Sequence, residues 1–234
     1  MASTEKPAIG KITSGVNPNS LVLRTIDFVY TQLPAWRDDP NRPAEQSEKK
    51  LNSQLCKFLD SEARNNFPMV RFNHEEAQTG RSSVDISASP VADTIEARTY
   101  SIYDPITVFE CKRLPAPARA REKEYVTGGK KRKKGGIQRF KLGLHGTNHN
   151  IAAMIGYLQG RSPSDWYDEI NKWIIELSSG TIADVCSWNI SETIEEFEEH
   201  SPKGIARGRS THSRRGSTQS DEIMLCHLWI TMHR

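Results

Sequence analysis

Hydrophobic positions along the chain follow two rhythms, one helical and one of period two. Val22, Ile26, Val29 and Leu33 recur at helical spacing behind Asn17-Pro18, which offers an N-cap and a first-turn proline, so a short amphipathic helix is expected there. The stretch 34–43 holds three prolines and reads as a linker. A second helix is expected over 44–64, with Leu51, Leu55, Phe58 and Leu59 as its apolar stripe and Glu48 at the N-terminal end of that stripe. The period then changes. Val70 and Phe72 alternate with polar neighbours over 67–78, Thr79-Gly80 marks a turn, and Val84 and Ile86 alternate with Asp85 over 83–87. A β-branched and aromatic strand is expected over 106–114, and the continuously apolar 151–158 fits a buried strand.

Beyond Pro163 and Ser164 lies a strongly amphipathic helix with Trp166, Ile170, Trp173, Ile174 and Leu177 on its core face. A last strand is expected over 222–232. Between these elements, a helix begins over 119–126, is interrupted by the glycine-flanked basic run GGKKRKKGG, and resumes over 137–142. The acidic stretch 191–200 has no assigned structure, and the Arg/Ser-rich 201–221 reads as a polar loop. The alternation of strands and helices predicts an α/β fold: a mixed central β-sheet flanked by helices. A single domain is expected over 17–234, with a flexible tail over 1–16 and a mobile basic insertion near 128–136.

Composition narrows the function classes. A chain of 234 residues with 36% hydrophobic residues is long enough to bury a core. No apolar run is long enough to span a bilayer, and the first residues lack the apolar core of a signal peptide. Cys56, Cys111, Cys186 and Cys226 are scattered without a CxxC pair, which argues against a zinc knuckle or disulfide scaffold and for a cytoplasmic, reducing setting. GxSxG, Walker A and GxGxxG motifs are absent. Net charge is only +3, but cations concentrate in Lys130, Lys131, Arg132, Lys133 and Lys134, and again in Arg207, Arg209, Arg214 and Arg215. Such runs are ordinarily solvated loops. In a nuclease they become contacts to the phosphate backbone.

The chemistry gathers on the strand at 106–114. Strand side chains alternate, so Val108, Glu110 and Lys112 share one face, with Cys111 on the other as a core thiol. A carboxylate and an ammonium at a strand end also suit an edge strand that reaches water. Asp85 changes that balance: Asp is disfavoured in strands, and Ser83 and Ser87 leave room around it. If the two strands are neighbours, Asp85 and Glu110 face one pocket and suit a hard cation such as Mg²⁺. Mg²⁺ accepts phosphate oxygens, and Lys112 beside it would orient or deprotonate water, or offset charge on a phosphate. Glu48 either favours the positive end of its own helix or points into this site. His145 and His149 have the spacing of two ligands on a helix, but Gly143, Gly146 and Asn148 argue for a loop of solvated histidines. Gln138 and Arg139 would reach the site, a phosphate or only the surface.

Asp85 on a strand of small residues, followed by Glu110-Cys111-Lys112 at a strand end, resembles the PD-(D/E)xK nuclease superfamily, the restriction-endonuclease-like fold. The resemblance covers roughly residues 44–160. Glu124-Tyr125-Val126, the run Ile-Gln-Arg-Phe at 137–140 and the run 153–157 are similar to segments of small bacterial nuclease-like proteins of phage defence. The chain departs from the pattern in having no proline before Asp85 and in the basic insertion within the helix that follows the motif. The resemblance implies a Mg²⁺-dependent endonuclease, with Mn²⁺ as a substitute, that hydrolyses DNA phosphodiesters to leave a 5′-phosphate. It implies Asp85 and Glu110 as metal ligands, Glu48 as a lesser one, the Cys111 backbone carbonyl as another, and Lys112 as the group acting on water. Lys130, Lys131, Arg132, Lys133, Lys134 and Arg139 become contacts to DNA. Partner proteins of a defence system and a homo-oligomer are expected, with no membrane association. Two other classes stay open: a non-catalytic nucleic-acid-binding or assembly subunit keeping the same fold, and an enzyme cutting RNA. Carboxylates clustered without metal would repel, so removing either is expected to leave the fold intact or slightly more stable.

Overall fold

The most continuously apolar strand of the sequence lies in the middle of the molecule. The structure, a computed structural model, describes residues 20–78, 82–130, 132–215, 218 and 220–232. Among these, β5 (Thr107–Leu114) and β6 (Ile151–Leu158) pair in parallel, and both are buried almost throughout. On one side of them lie β2 (Ser83–Pro90) and β1 (Val70–Ala77), antiparallel to their neighbours. On the other side β9 (Glu222–Thr231) runs parallel to β6, and β8 (Ile205–Ser213) and β7 (Glu195–His200) continue antiparallel. The described strands thus form a seven-stranded mixed sheet, ordered β1-β2-β5-β6-β9-β8-β7, with a separate small hairpin of β3 (Thr94–Ile95) and β4 (Arg98–Thr99).

Helices cover both faces, as the alternation of elements predicts. α1 (Ser20–Asp38) and α2 (Glu48–Asn66) pack on the face that carries Phe109, Cys111, Ile155 and Ile230. α3 (Gly136–Lys141) and α4 (Pro163–Ser178) pack on the face that carries Val108, Met154, Leu225 and Trp229. Gly156 has no side chain because a Cβ there would stand 2.5 Å from the Trp229 ring. Among the described residues no helix is long and apolar enough to cross a membrane.

Two expectations fail where packing overrides the local pattern. α1 does not stop at Pro34 but continues to Asp38. The lost backbone donor is offset beyond it, where Trp36 is buried against Tyr157 at 5.6 Å and Arg37 donates to the Lys203 and Thr231 carbonyls at 2.9 and 3.3 Å. The expected polar loop over 201–221 contains β8, and the acidic stretch before it contains β7. β8 does alternate, with Arg207, Arg209 and Thr211 exposed and Gly208, Ser210 and His212 buried. Its inner positions are small or polar, so the strand period is present without the hydrophobicity that usually reveals it. Asn17, Pro18 and the turn at Thr79-Gly80 lie outside the described residues.

The reason for those polar inner positions is a buried hydrogen-bond chain with one direction. Trp229 Nε1 can only donate, and it gives its proton to Tyr125 Oη at 2.9 Å. The Tyr125 hydroxyl then donates to His227 Nδ1 at 2.7 Å. His227 Nε2–H donates to Ser210 Oγ at 2.7 Å, and the Ser210 hydroxyl donates to His212 Nε2 at 2.7 Å. His212 Nδ1–H is left facing Glu192 Oε2 at 3.5 Å, and Glu192 also takes the Lys141 ammonium. This network assigns both tautomers. Burial holds both imidazoles below their ordinary range, His227 at about 3.

Ser210→Ala removes the one hydroxyl that serves both rings. It should cost about 1–3 kcal/mol in urea unfolding, the penalty for stranding buried polar groups. His227 is protonated more readily in the unfolded chain, where its ordinary value is 6.5, than in the fold at about 3. Its contribution is therefore complete above about pH 6.5 and is lost as pH falls toward 3. Urea titrations of the parent and of His227→Gln at pH 7.5 and 5 should show the parent's stability advantage over the variant shrink at pH 5.

Candidate functional site

The site forms where β2 and β5 stop pairing. Their ladder runs through Ala88↔Thr107, Ser87↔Val108 and Ile86↔Phe109 and ends there. At the next position Asp85 turns its carboxylate into the gap, and Oδ2 accepts the Cys111 amide proton at 2.7 Å. A side-chain oxygen replaces the strand carbonyl that would otherwise take this N–H. The strands fork as a result, and Asp85 stands beside Glu110 and Lys112 on the face that period two predicts.

Glu110 is buried in the fork and ringed by cations. Its Oε1 forms an ion pair with Lys112 Nζ and accepts a hydrogen bond from Arg139 Nη1, both at 2.8 Å. Its Oε2 stands 3.1 Å from His145 Nδ1, an approach not aligned as a hydrogen bond. Lys112 Nζ also reaches the Cys111 carbonyl at 3.0 Å and Glu48 Oε1 at 3.3 Å. Glu48 Oε2 accepts the Arg113 amide at 3.1 Å. Glu48 therefore spends both oxygens across the sheet, on β5, rather than on the first turn of its own helix. Arg113 and Gln159 bond at 2.6 Å, and Gln159 donates to Gln46 Oε1 at 3.1 Å, which ties the segment before α2 to the ends of β5 and β6.

The charges of the cluster set one another. Burial alone would raise Glu110, but Lys112 first, then His145 and Arg139, outweigh it and hold the carboxyl well below the usual range. Burial works against the Lys112 ammonium too, and Glu110, Asp85 and Glu48 outweigh it, so Lys112 is held charged far above neutral pH. Asp85 goes the other way. Burial, and then the negative charge of Glu110, push it up to about 7. The cluster thus holds a permanent ammonium, a permanent carboxylate and one carboxyl poised near neutrality.

Most of the expected site residues come together: Asp85, Glu110, Lys112, Glu48 and the Cys111 carbonyl meet at the fork. Three of the oxygens expected to hold a metal, from Glu110, Glu48 and Cys111, converge on one cation, the Lys112 ammonium. Among the described residues no three His, Cys, Asp or Glu side chains stand ready as a metal cage, and the ammonium takes that position. A hard divalent ion nevertheless fits this donor set, which is all oxygen and includes two carboxylates and a neighbouring Asp85.

Other expectations need correction. His145 is not a solvated loop histidine: it is fully buried against Glu110, while His149 is turned away to the Pro105 carbonyl at 2.9 Å. The glycines rightly indicate a loop, since Gly143 and Gly146 take left-handed φ of +64 and +59. What they do not indicate is that Arg214 pins that loop inward by donating to the Gly146 and His149 carbonyls at 2.9 and 2.8 Å. The second basic run is largely engaged within the protein. Arg214 is buried, and Arg207 and Arg209 pair with Glu198 and Glu196 of β7. Arg139 is committed to Glu110, whereas Gln138 is fully buried and reaches neither site nor surface. Glu110 is no free repelling carboxylate, so its removal strands Lys112 and Arg139, and Glu110→Ala should destabilise the fold. The 320 Å³ cavity between α1 and β8, with Tyr30, Arg207 and Cys226 in its walls, shares no residue with this cluster.

No family model, curated protein or solved structure matches the chain.

Asp85→Asn keeps an oxygen for the Cys111 amide and removes the acid. In the unfolded chain Asp85 ionises near 3.8, and in the fold only near 7, so its ionisation erodes stability as pH rises between those values. The stability of the Asn variant relative to the parent should therefore increase from pH 4.5 to 7 and stay level above, read by urea unfolding in EDTA. A difference that is flat across this range would mean that Asp85 ionises normally in the fold.

Proposed function

We propose that the chain is a metal-dependent endonuclease of the PD-(D/E)xK type, which hydrolyses DNA phosphodiester bonds in the cytoplasm of a bacterial cell as part of a defence against phage. The observation that carries this reading is the set of oxygens from Glu110, Glu48 and Cys111 gathered on a single cation beside Asp85. Asp85, Glu110, Glu48 and the Cys111 carbonyl would hold Mg²⁺, or Mn²⁺ in its place. The ion, when bound, supplies charge stabilisation at the phosphate and a more acidic water.

The residues of the chain do the rest. Water attacks phosphorus and gives up its proton to solvent, the bond to the 3′ oxygen breaks, that oxygen takes a proton from solvent, and a 5′-phosphate remains. Lys112 acts as an ammonium, because its carboxylate neighbours keep it protonated. It donates hydrogen bonds and offsets charge on the phosphate instead of accepting the water's proton. Arg139 fixes Glu110 from α3. The exposed cations of the 127–135 loop contact the backbone of the duplex. Lys131 belongs to that run but lies outside the described residues.

A second reading has one observation in its favour. Lys112 already satisfies Glu48 and Glu110, so the fold balances its own charge and would serve a nucleic-acid-binding subunit that cuts nothing. Supercoiled plasmid and a structured RNA, each incubated with the purified protein in Mg²⁺ and in EDTA, separate the two readings and the substrate classes. Plasmid should be nicked or linearised in Mg²⁺ only. Glu110→Gln should lower the rate by at least about 10²-fold, and Lys112→Ala should lower turnover by about 10²–10⁴-fold while changing DNA affinity little. Intact plasmid under all conditions, with DNA still bound, would leave the binding subunit; cleavage of RNA alone would change the substrate.

A further inference from the structure

The basic run lies between a series of tight turns over 119–126 and α3, whose start is bonded to those turns. The amides of Gly136, Ile137 and Gln138 donate to the carbonyls of Glu124, Tyr125 and Val126 at 2.9, 3.2 and 2.9 Å. These bonds skip the intervening residues, reaching twelve positions back where a helix reaches four. The start of α3 is thereby closed by the turn before it, and the described residues 127–130 and 132–135 leave the helix start as two fixed ends of a loop.

One side chain then clamps the neck. Gln138 Oε1 accepts the amides of Gly128 and Gly135, one from each end of the loop, both at 3.2 Å. Its Nε2 donates to the Gly129 carbonyl at 3.2 Å and to Asp184 Oδ2 at 2.9 Å. The backbones approach too closely for other residues: a Cβ at Gly128 would stand 2.2 Å from the Arg132 carbonyl, and one at Gly135 2.3 Å from Thr127 Cα. At the far end, Arg139 spans from the Lys133 carbonyl at 3.5 Å to Glu110 at 2.8 Å, which sets the loop against the carboxylate cluster.

Opposite the loop stands the 3₁₀ turn Arg119–Arg121, and between them lies a cleft of about 240 Å³. Arg119 and Arg121 are on one wall, and Arg132 with the Gly128-Gly129 backbone is on the other. Arg121 pairs with Glu124 at 2.7 Å and is held charged by it first and by Glu48 after it. Arg119, Lys130, Arg132, Lys133 and Lys134 are exposed, and none has an ion-pair partner among the described residues. The cations of β8 behave differently, each meeting a glutamate. Like charges on a loose loop would spread apart. Here a buried clamp holds them together, an arrangement that repels itself until a polyanion lies along it.

We propose that the cleft between the Arg119–Arg121 turn and the 127–135 loop is a preformed subsite for the phosphate backbone of a nucleic acid, with Arg119 and Arg132 as contacts and Gln138 as the residue that positions the loop wall. For the choice of nucleic acid as ligand, this rests on the nuclease reading. The strand that passes the carboxylate cluster runs on into the cleft, so affinity is set before any bond is cut.

The test is binding without chemistry. Fluorescent duplexes of two unrelated sequences are titrated with the full chain in EDTA across a KCl series. The Arg119→Gln/Arg132→Gln variant alters only exposed side chains. It should weaken binding to both duplexes alike and flatten the plot of log affinity against log salt by about 1.8, at about 0.9 per phosphate contact. Lys172→Gln on α4, which does not line the cleft, should leave the slope as it is. Gln138→Met, with its circular dichroism unchanged, should also flatten the slope, and adding Arg132→Gln to it should flatten it no further, since Arg132 is already displaced. If Gln138→Met does not fold, the exposed double variant still decides. An unchanged slope in the double variant, an equal effect from Lys172→Gln, or no binding by the parent chain would each overturn the subsite. Cleavage is scored separately. Binding that responds as described in a protein that cuts nothing would sustain the subsite and remove the nuclease, while cleavage with an unchanged slope would do the reverse.

Discussion

A carboxylate with no access to water must be matched by neighbouring charge, because the cost of an isolated buried ion is several kcal/mol or more. Glu110 meets this condition through two separate parts of the chain, Lys112 from its own strand and Arg139 from α3. His145 packs against it from the loop that Arg214 pulls inward. Glu48 then brings the start of α2 to Lys112 and to the Arg113 amide. The fork between β2 and β5 exists because Asp85 takes the Cys111 amide in place of a strand partner. One buried charge in the middle of β5 thus fixes where two helices and a loop end.

The same constraint shapes the other half of the sheet with neutral groups. From Trp229 to His212 each donor has one acceptor, and the chain ends on Glu192 and Lys141, so polar residues fill the space under β8 at little cost in unpaired groups. The basic loop is a third instance, since Gln138 satisfies both ends of an irregular segment that would otherwise bury free amides. On the nuclease reading proposed above, these three polar arrangements have distinct roles: one holds a cation, one holds the fold, and one presents charge to the substrate.

Much of the fold was readable from period alone. The helical spacing of Leu51, Leu55 and Leu59 and the apolar run at 151–158 mark α2 and β6 directly. What the pattern hid was structure whose inward positions are not hydrophobic. β8 buries Gly208, Ser210 and His212, so it has a strand's period in polar residues, and α1 overrides Pro34 through contacts made far away in sequence. At the site, alternation put Glu110 and Lys112 on one face and small neighbours singled out Asp85. His145 was hidden because its place depends on Arg214, 69 positions further on, which no local pattern encodes. Gln138 was hidden for a similar reason: a buried amide and a surface amide look alike until the neck it closes is known.

On the nuclease reading, the oxygens around Lys112 are a cation site in which the ammonium and a divalent ion compete. Mn²⁺ binding followed by electron paramagnetic resonance, on the parent chain, Lys112→Ala and Glu110→Gln at pH 7.5, measures that competition without reference to cleavage. Removing the ammonium should tighten Mn²⁺ binding, and neutralising Glu110 should weaken it by at least about tenfold, about 1.4 kcal/mol. Equal affinity in all three proteins, or weaker binding in Lys112→Ala, would mean that these oxygens are arranged to bury a lysine and not to hold a metal.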